Sequence, residues 1–486
     1  VSIQVYLELW ESKPTLRIWL YEASTFLIVC SAFEPWRILF VDNYHLYPMK
    51  SWRTKMMSGF IDIVMILLIL KRIYFYVSHS AEPFCINSGF RITEFLINYQ
   101  GGYVRRGLLG SILYWLSTNF NIEISFLIGA IIWVSLIVAF ILFLKIVHGL
   151  KLKWWIIPLS FTFFNGEDWI RKDYLFLIII AAIIWLISRE NLNKWGKYAG
   201  IVILCVLLWN LHEAFFFVIG PFATYYILFK DRSFSYVGRV LFLIPIYAAF
   251  LAVLVFHGTT ETAITIQESW HNIYPEYIPL ITADDCVVRW GGTNNSITAL
   301  GWGALDTLKF HIGCIYGGDG AGRIPQPYGI FVMPFIYLLL FYFLSRFTYL
   351  FTSKGSVLYG ASNNSFSIIL LFQFISLFPL FGFLSCDIRR ICIYWALSSW
   401  MILYFFGPER IESLFPKKIM LIGNRANNWI DHLIKNPKGL LICMILFLGV
   451  PVDKFHVGTI IRTTAAGEIM FTVLNRIIIP FTSLFC

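Results

Sequence analysis

The stretch Ile124–Leu144, ISFLIGAIIWVSLIVAFILFL, contains no charged residue and no proline. As a helix it would extend about 30 Å, which is the thickness of bilayer hydrocarbon. In hydrocarbon every backbone N–H and C=O must pair within the protein, which leaves only helices and closed barrels. The apolar residues here are continuous rather than alternating, and that selects the helix. Comparable runs recur at 58–78, 154–166, 174–188, 198–212, 213–229, 239–256, 328–344, 365–385, 391–406 and 439–453. At roughly 20 residues per crossing, the pattern predicts an all-α polytopic membrane protein with about 11 transmembrane helices, the shorter ones tilted, broken or re-entrant. Composition agrees: only 14% of the residues are charged, against about 25% in soluble domains.

Lys and Arg gather in the loops at 145–153, 189–197, 230–239, 346–354 and 410–438, and are sparser in the loops between them. The positive-inside rule makes that set cytoplasmic and the other set outer. Lys71 and Arg72, at the end of the first run, oppose this parity. The same rule accounts for the net charge of +10, so nucleic acid is not an expected partner. No GxxxxGK[ST] loop is present, which argues against an ATP-driven pump. The nine cysteines form no CxxC or Cys/His cluster, so no metal site is expected. Cys286 and Cys314 share one long polar segment and could pair if that segment is periplasmic.

Four regions follow from this layout. Residues 1–57 are an N-terminal segment. It reads equally as an upstream extension before the basic start at Met49 or as containing a span near Leu20–Phe40. Residues 58–256 form an N-terminal transmembrane half, 257–327 a long outer loop, and 328–486 a C-terminal transmembrane half. A polar loop as long as 257–327 exceeds ordinary connections, and such loops usually cover or bind something.

Four charged motifs fall on the outer side. The first is Asn98-Tyr-Gln-Gly-Gly-Tyr-Val-Arg105-Arg106-Gly-Leu-Leu-Gly110. Gly101 and Gly102 permit a tight turn, Arg105 and Arg106 offer planar forks for phosphate oxygens, and a helix starting near Leu108 adds a favourable field for an anion. The second is Glu167-Asp168-Trp-Ile-Arg171-Lys172-Asp173, either a site or a solvated turn in which Asp173 caps the next helix. The third is Asn210-Leu-His212-Glu213, an ionisable pair at the membrane edge. Burial would raise the Glu213 carboxyl toward neutrality, where it could serve as a general base. The spacing is not HExxH, so zinc protease chemistry is not indicated. The fourth is Ser385-Cys-Asp387-Ile-Arg389-Arg390, where Asp387 and Arg390, three apart on a helix, could face each other. Excess arginine at a membrane surface implies a phosphate or carboxylate ligand, and a carboxylate or histidine among the arginines implies proton transfer. Trp270, Tyr274, Tyr277, Trp290 and Trp302 suit sugar stacking or an interfacial belt.

The stretches GGYVRRGLLG (101–110), RKDYLF (171–176), LHEAFFF (211–217) and CDIRR (386–390) together resemble bacterial O-antigen or capsule repeat-unit polymerases, inner-membrane proteins of GT-C-like architecture. The resemblance implies transfer of a glycan from undecaprenyl diphosphate to the non-reducing end of another lipid-linked repeat unit at the periplasmic face, with no metal, nucleotide or other cofactor. The implied partners are the lipid-linked glycan, membrane lipid and a chain-length regulator protein. Arg105 and Arg106 would hold the diphosphate. Arg171, Lys172, Asp173 and Arg389 would complete the binding set. Glu213 or His212 would activate the acceptor hydroxyl, and Asp387 with Arg390 would organise the site. GT-C enzymes generally carry an acidic catalytic residue in the first outer loop, whereas Glu82 and Glu94 here stand in no DxD or DE pattern. The alternatives are a GT-C glycosyltransferase using a polyprenyl-phosphate sugar, a transporter of lipid-linked oligosaccharide, and a non-catalytic assembly protein. A transporter would place charges at mid-membrane. An assembly protein would leave the four motifs apart in space.

Overall fold

In the computed structural model the described residues are 89–150, 171–288, 295–316, 341, 345, 363–385 and 387–433. They are helical, with no strand among them. The N-terminal segment 1–57, the apolar runs at 58–78, 154–166 and 439–453, most of the run at 328–344, Glu82, Glu167, Asp168, Trp290 and the side chains of Arg389 and Cys314 lie outside the described residues.

A helical turn, Phe90–Thr93, tightens into a 3-10 turn at Glu94–Leu96. It is followed by α1 (Gly107–Phe120), α2 (Ile124–Gly149), α3 (Asp173–Ser188), α4 (Lys194–Leu211) and α5 (Phe215–Tyr225). Next come α6 (Tyr236–Val255), α7 (Thr260–His271), α8 (Ala304–Tyr316), α9 (Asn363–Pro379), α10 (Ile388–Phe406), α11 (Pro408–Leu414) and α12 (Lys417–Leu433). Each expected apolar run that falls on described residues is occupied by one of these helices. Four stretches among the described residues are long and apolar enough to cross a membrane: Ile124–Gly149, Lys194–Leu211, Tyr236–Val255 and Ser365–Leu384. A fifth is added if Arg390–Phe406 and Pro408–Leu414, bent by 101° at their junction, are one broken span.

Local chemistry sets the helix boundaries. Asn193 begins α4 by accepting hydrogen bonds from the backbone of Trp195 and Gly196. Ser235 does the same for α6 and Thr259 for α7, each satisfying donors that the first turn leaves orphaned. α5 and α9 each end in a π-helical turn, Tyr226–Lys230 and Leu380–Leu384.

Val134, Ile137, Val138 and Ile141 of α2 are exposed, as expected of a surface whose solvent is lipid. Inside, aromatic rings fill the space between helices. Phe216 stacks on Phe250 at 3.8 Å. The indoles of Trp209 and Trp395 donate to the carbonyls of Ile246 and Leu370, so neither buried N–H is orphaned.

Charge divides between the two ends of the helices. One end gathers the starts of α1, α3, α5 and α10 and the finish of α4. At the other end Arg410 of α11 donates to Ser188 and Glu190 beyond α3. There Tyr225, at the end of α5, and Lys230, at the end of its π-helical turn, donate to the carbonyls of Leu414 and Ser413. Lys197 of α4 pairs with Asp231 at 2.8 Å at that same end.

Candidate functional site

The site is assembled from four separated stretches. The first loop leaves the Phe90–Leu96 turns and reaches Asn98, whose amide donates to Ser269 of α7 (3.0 Å) while its Oδ1 accepts from the Gln100 N–H. The turn at Gly101–Gly102 has a packing reason. A side chain on Gly101 would come within 2.8 Å of the Thr262 carbonyl oxygen on α7, and Gly102 has φ +101°, a region costly for any residue with a Cβ. Arg106, also at positive φ, 65°, is the last residue before α1. The described part of the long polar segment 257–327 packs on this segment. Trp270 donates to the Leu96 carbonyl, Ser296 to the Thr93 hydroxyl and the Phe90 carbonyl, and Arg105 to the Ala299 carbonyl.

Arg106 and Glu213 form a two-pronged pair, Nε to Oε2 at 2.9 Å and Nη2 to Oε1 at 2.6 Å. Arg105 Nη1 lies 3.6 Å from the same carboxylate. Behind them is Glu94, whose side chain is 4% exposed. Its Oε1 sits 3.7 Å from Arg106 Nη1, 3.7 Å from His212 Nε2 and 4.0 Å from Lys172 Nζ. Lys172, fully enclosed, donates to the Glu94 backbone carbonyl at 2.8 Å. Next to it in sequence, Asp173 receives a second two-pronged pair from Arg390, at 3.0 and 2.6 Å. Arg390 and Arg171 share Asp387, at 3.2 and 3.3 Å.

The network is therefore layered. Glu94, Lys172, Asp173 and His212 are buried, while Arg105, Arg106, Arg171, Glu213, Arg390 and above all Asp387 keep some exposure. Five permanent or near-permanent cations face four carboxylates, with His212 neutral. His212 closes α4 with an extended backbone, and its Nδ1 accepts the Ala214 N–H at 3.3 Å. The ring proton is thereby assigned to Nε2, on the side of Glu94 rather than Glu213. Burial, reinforced by the Arg106 guanidinium, keeps this imidazole well below its usual range.

All the expected residues with described side chains, Arg105, Arg106, Arg171, Lys172, Asp173, His212, Glu213, Asp387 and Arg390, fall in this network. Three expectations change. Burial does oppose ionisation of Glu213, but the Arg106 guanidinium outweighs it and holds the carboxyl well below the usual range, so the resting residue is a weak base. Asp173 does not cap its helix: the N-terminal residue is Lys172, with no capping side chain, and the Asp173 carboxylate is committed to Arg390. Trp270 and Trp302 are buried structural residues and do not offer faces to a sugar. Cys286 is a buried free thiol.

Glu94 is the member that motif reading passed over. Its signal was present, a lone acid inside the apolar run FRITEFLI, the same argument that singled out His212 and Glu213. Tyr394, which accepts from Arg390 Nε at 3.2 Å, carries no such signal. Among the described residues no three His, Cys, Asp or Glu side chains gather as a metal-ligating group. Neither a family model, nor a curated protein, nor a solved structure matches this chain.

Proposed function

We propose that this chain is a membrane-embedded glycosyltransferase that polymerises lipid-linked repeat units, with its charged network facing the periplasm of a bacterial inner membrane. The observation that carries the reading is the convergence of four distant motifs into one partly exposed, arginine-rich network at one end of the helices. Convergence disfavours a passive assembly protein. Among the described residues the charges of the apolar helices sit at helix ends rather than mid-span, which favours an enzyme over a transporter. About 11 spans in a GT-C-like arrangement complete the proposal.

In this reading the forks of Arg105 and Arg106 take the diphosphate of the donor. The incoming anion competes with Glu213 for Arg106. Deprived of its cation, a largely buried carboxylate becomes a far better base. It accepts the proton of the acceptor hydroxyl as that oxygen bonds to the anomeric carbon. The bond from that carbon to the diphosphate oxygen breaks, and undecaprenyl diphosphate leaves with the electron pair.

The test uses Arg106→Lys and Glu213→Gln in cells whose surface polysaccharide depends on the protein. Both variants are expected to fold and be recovered in the membrane fraction, with polymer ladders lost from the gel. Wild-type ladders from both would overturn the proposal. The second reading, a transferase using a polyprenyl monophosphate sugar, keeps the same residues and predicts loss of a single sugar rather than of polymer length.

A further inference from the structure

We propose that α12, Lys417–Leu433, is a docking element for anionic phospholipid headgroups on the membrane face opposite the charged network. Three observations place and characterise it.

The first is position. α10 begins beside Arg390 and runs to Phe406, about 28 Å at the helical rise, so whatever follows it lies at the far end from the network. Gly407, with φ +75°, turns the chain there, and α11 leaves at 101° to α10. α12 then packs against the first turns of α9: a side chain on Gly423 would collide with Ile368. Ser365, three residues earlier, donates to Glu412 of α11 at 2.8 Å. Ser365 also opens the apolar span Ser365–Leu384. α12 is therefore level with the end of a span, where hydrocarbon gives way to headgroups.

The second is the pattern of the helix. Ile422 and Trp429 are seven residues apart and form a row along it, and both are more than half exposed. Lys418 and Arg425 each stand four residues before one of those apolar residues, so the four alternate along one exposed stripe and each cation lies one turn from an exposed apolar neighbour. An exposed stripe that alternates apolar and cationic residues suits an interface, where rings and aliphatic stems enter the acyl chains and the cationic tips snorkel to the phosphates.

The third is that Lys417, Lys418 and Arg425 are solvent-facing and form no ion pair among the described residues. At the same end, Arg410, Lys230 and Lys197 are already committed to protein partners. No described residue supplies a counter-charge to this row. A zwitterionic surface offers no net attraction, whereas an anionic leaflet does.

The full-length protein is reconstituted in nanodiscs of phosphatidylcholine alone and of phosphatidylcholine with phosphatidylglycerol, and amide hydrogen exchange is followed. Exchange within 417–433 is expected to be slower in the anionic discs, and the difference is expected to shrink with added salt. The double variant Lys418→Gln/Arg425→Gln is expected to lose on the order of tenfold of that protection, with α9 and α10 protected as in wild type. Equal protection of 417–433 in both discs, or protection that follows protein density rather than lipid charge, overturns the proposal. The latter result would assign the face to a second copy of the chain. Disulfide cross-linking of Trp429→Cys reports that alternative directly, and its absence alongside lipid-dependent protection supports the lipid.

Discussion

Arg106 and Glu213 are 107 positions apart in sequence yet meet fork to fork at 2.9 and 2.6 Å, each only slightly exposed. Arg106→Ala leaves the carboxylate with Arg105 and the His212 ring, each at 3.6 Å. Stranding a buried charge in this way costs on the order of 3–5 kcal/mol. The double variant Arg106→Ala/Glu213→Gln strands less charge, so it is expected to regain much of the stability lost in the single variant while remaining inactive. Thermal unfolding in detergent checks the first part and polymer ladders the second. Additive stability losses would mean the pair is not coupled.

Glu94 sits among Arg106, Lys172 and His212 and accepts no hydrogen bond at its Oε1. It is the negative centre of the buried layer. Glu94→Gln keeps the shape but removes the charge that balances two enclosed cations, and is expected to destabilise by on the order of 3 kcal/mol. Adding Lys172→Met to it removes one of the stranded cations and is expected to recover part of the loss. The unfolding midpoints of the two variants, compared in one detergent, test this. A lower midpoint for the double variant than for Glu94→Gln would contradict the role of Glu94 as counter-charge.

The helices were legible because lipid is a simple solvent. Apolar runs such as Ile124–Leu144 need no tertiary information to be read as helices. The motif residues were legible because ionisable groups are costly beside hydrocarbon, so Arg105, Arg106, His212, Glu213, Asp387 and Arg390 stood out. Their pairing was not legible. His212 and Glu213 were read as one ionisable pair and do lie 3.6 Å apart, but the Ala214 N–H occupies Nδ1 and Nε2 faces Glu94, a partner that sequence proximity did not suggest. Charge partners such as Asp173 and Arg390 come from different helices, and spacing along one chain segment carries no information about them. Trp270 became core for a related reason: α7 folds back onto the first loop, where its indole donates to the Leu96 carbonyl.

The buried lysine gives the protein a pH signature. Burial, opposed by the Glu94 carboxylate, lowers the Lys172 ammonium from 10.5 to about 8. Between those values the unfolded chain binds the proton and the folded chain does not, so stability rises with pH across that window and is flat just below it. Lys172→Met is expected to abolish this rise. Glu213 gives a slope of the same sign at acid pH, but from a group whose charged form is favoured by folding rather than opposed. Its depressed folded value contributes stability above the ordinary carboxylate range, and that stability is lost as pH falls through the folded value. Glu213→Gln is expected to flatten this acid limb. Unfolding midpoints measured across pH for wild type and both variants check the two limbs separately.

Two glycines of the first motif are expected to fail in different ways. Gly110 lies on α1 where the helix crosses the first loop, and a Cβ there would collide with the Ile97 carbonyl oxygen and stand 2.9 Å from that of Phe95. Those atoms are backbone and cannot rotate away, so Gly110→Ala must push α1 off the loop that carries Glu94. Displacement of even about 1 Å is enough to spoil a positioned site. Gly102 has open space around its missing side chain but a φ of +101°, so Gly102→Ala carries strain of about 1–3 kcal/mol without moving the network. Gly110→Ala is therefore expected to abolish polymer ladders at any temperature at which it folds. Gly102→Ala is expected to unfold earlier on heating yet retain ladders at the growth temperature. Loss of ladders in a fully folded Gly102→Ala protein would instead assign the turn itself to ligand contact.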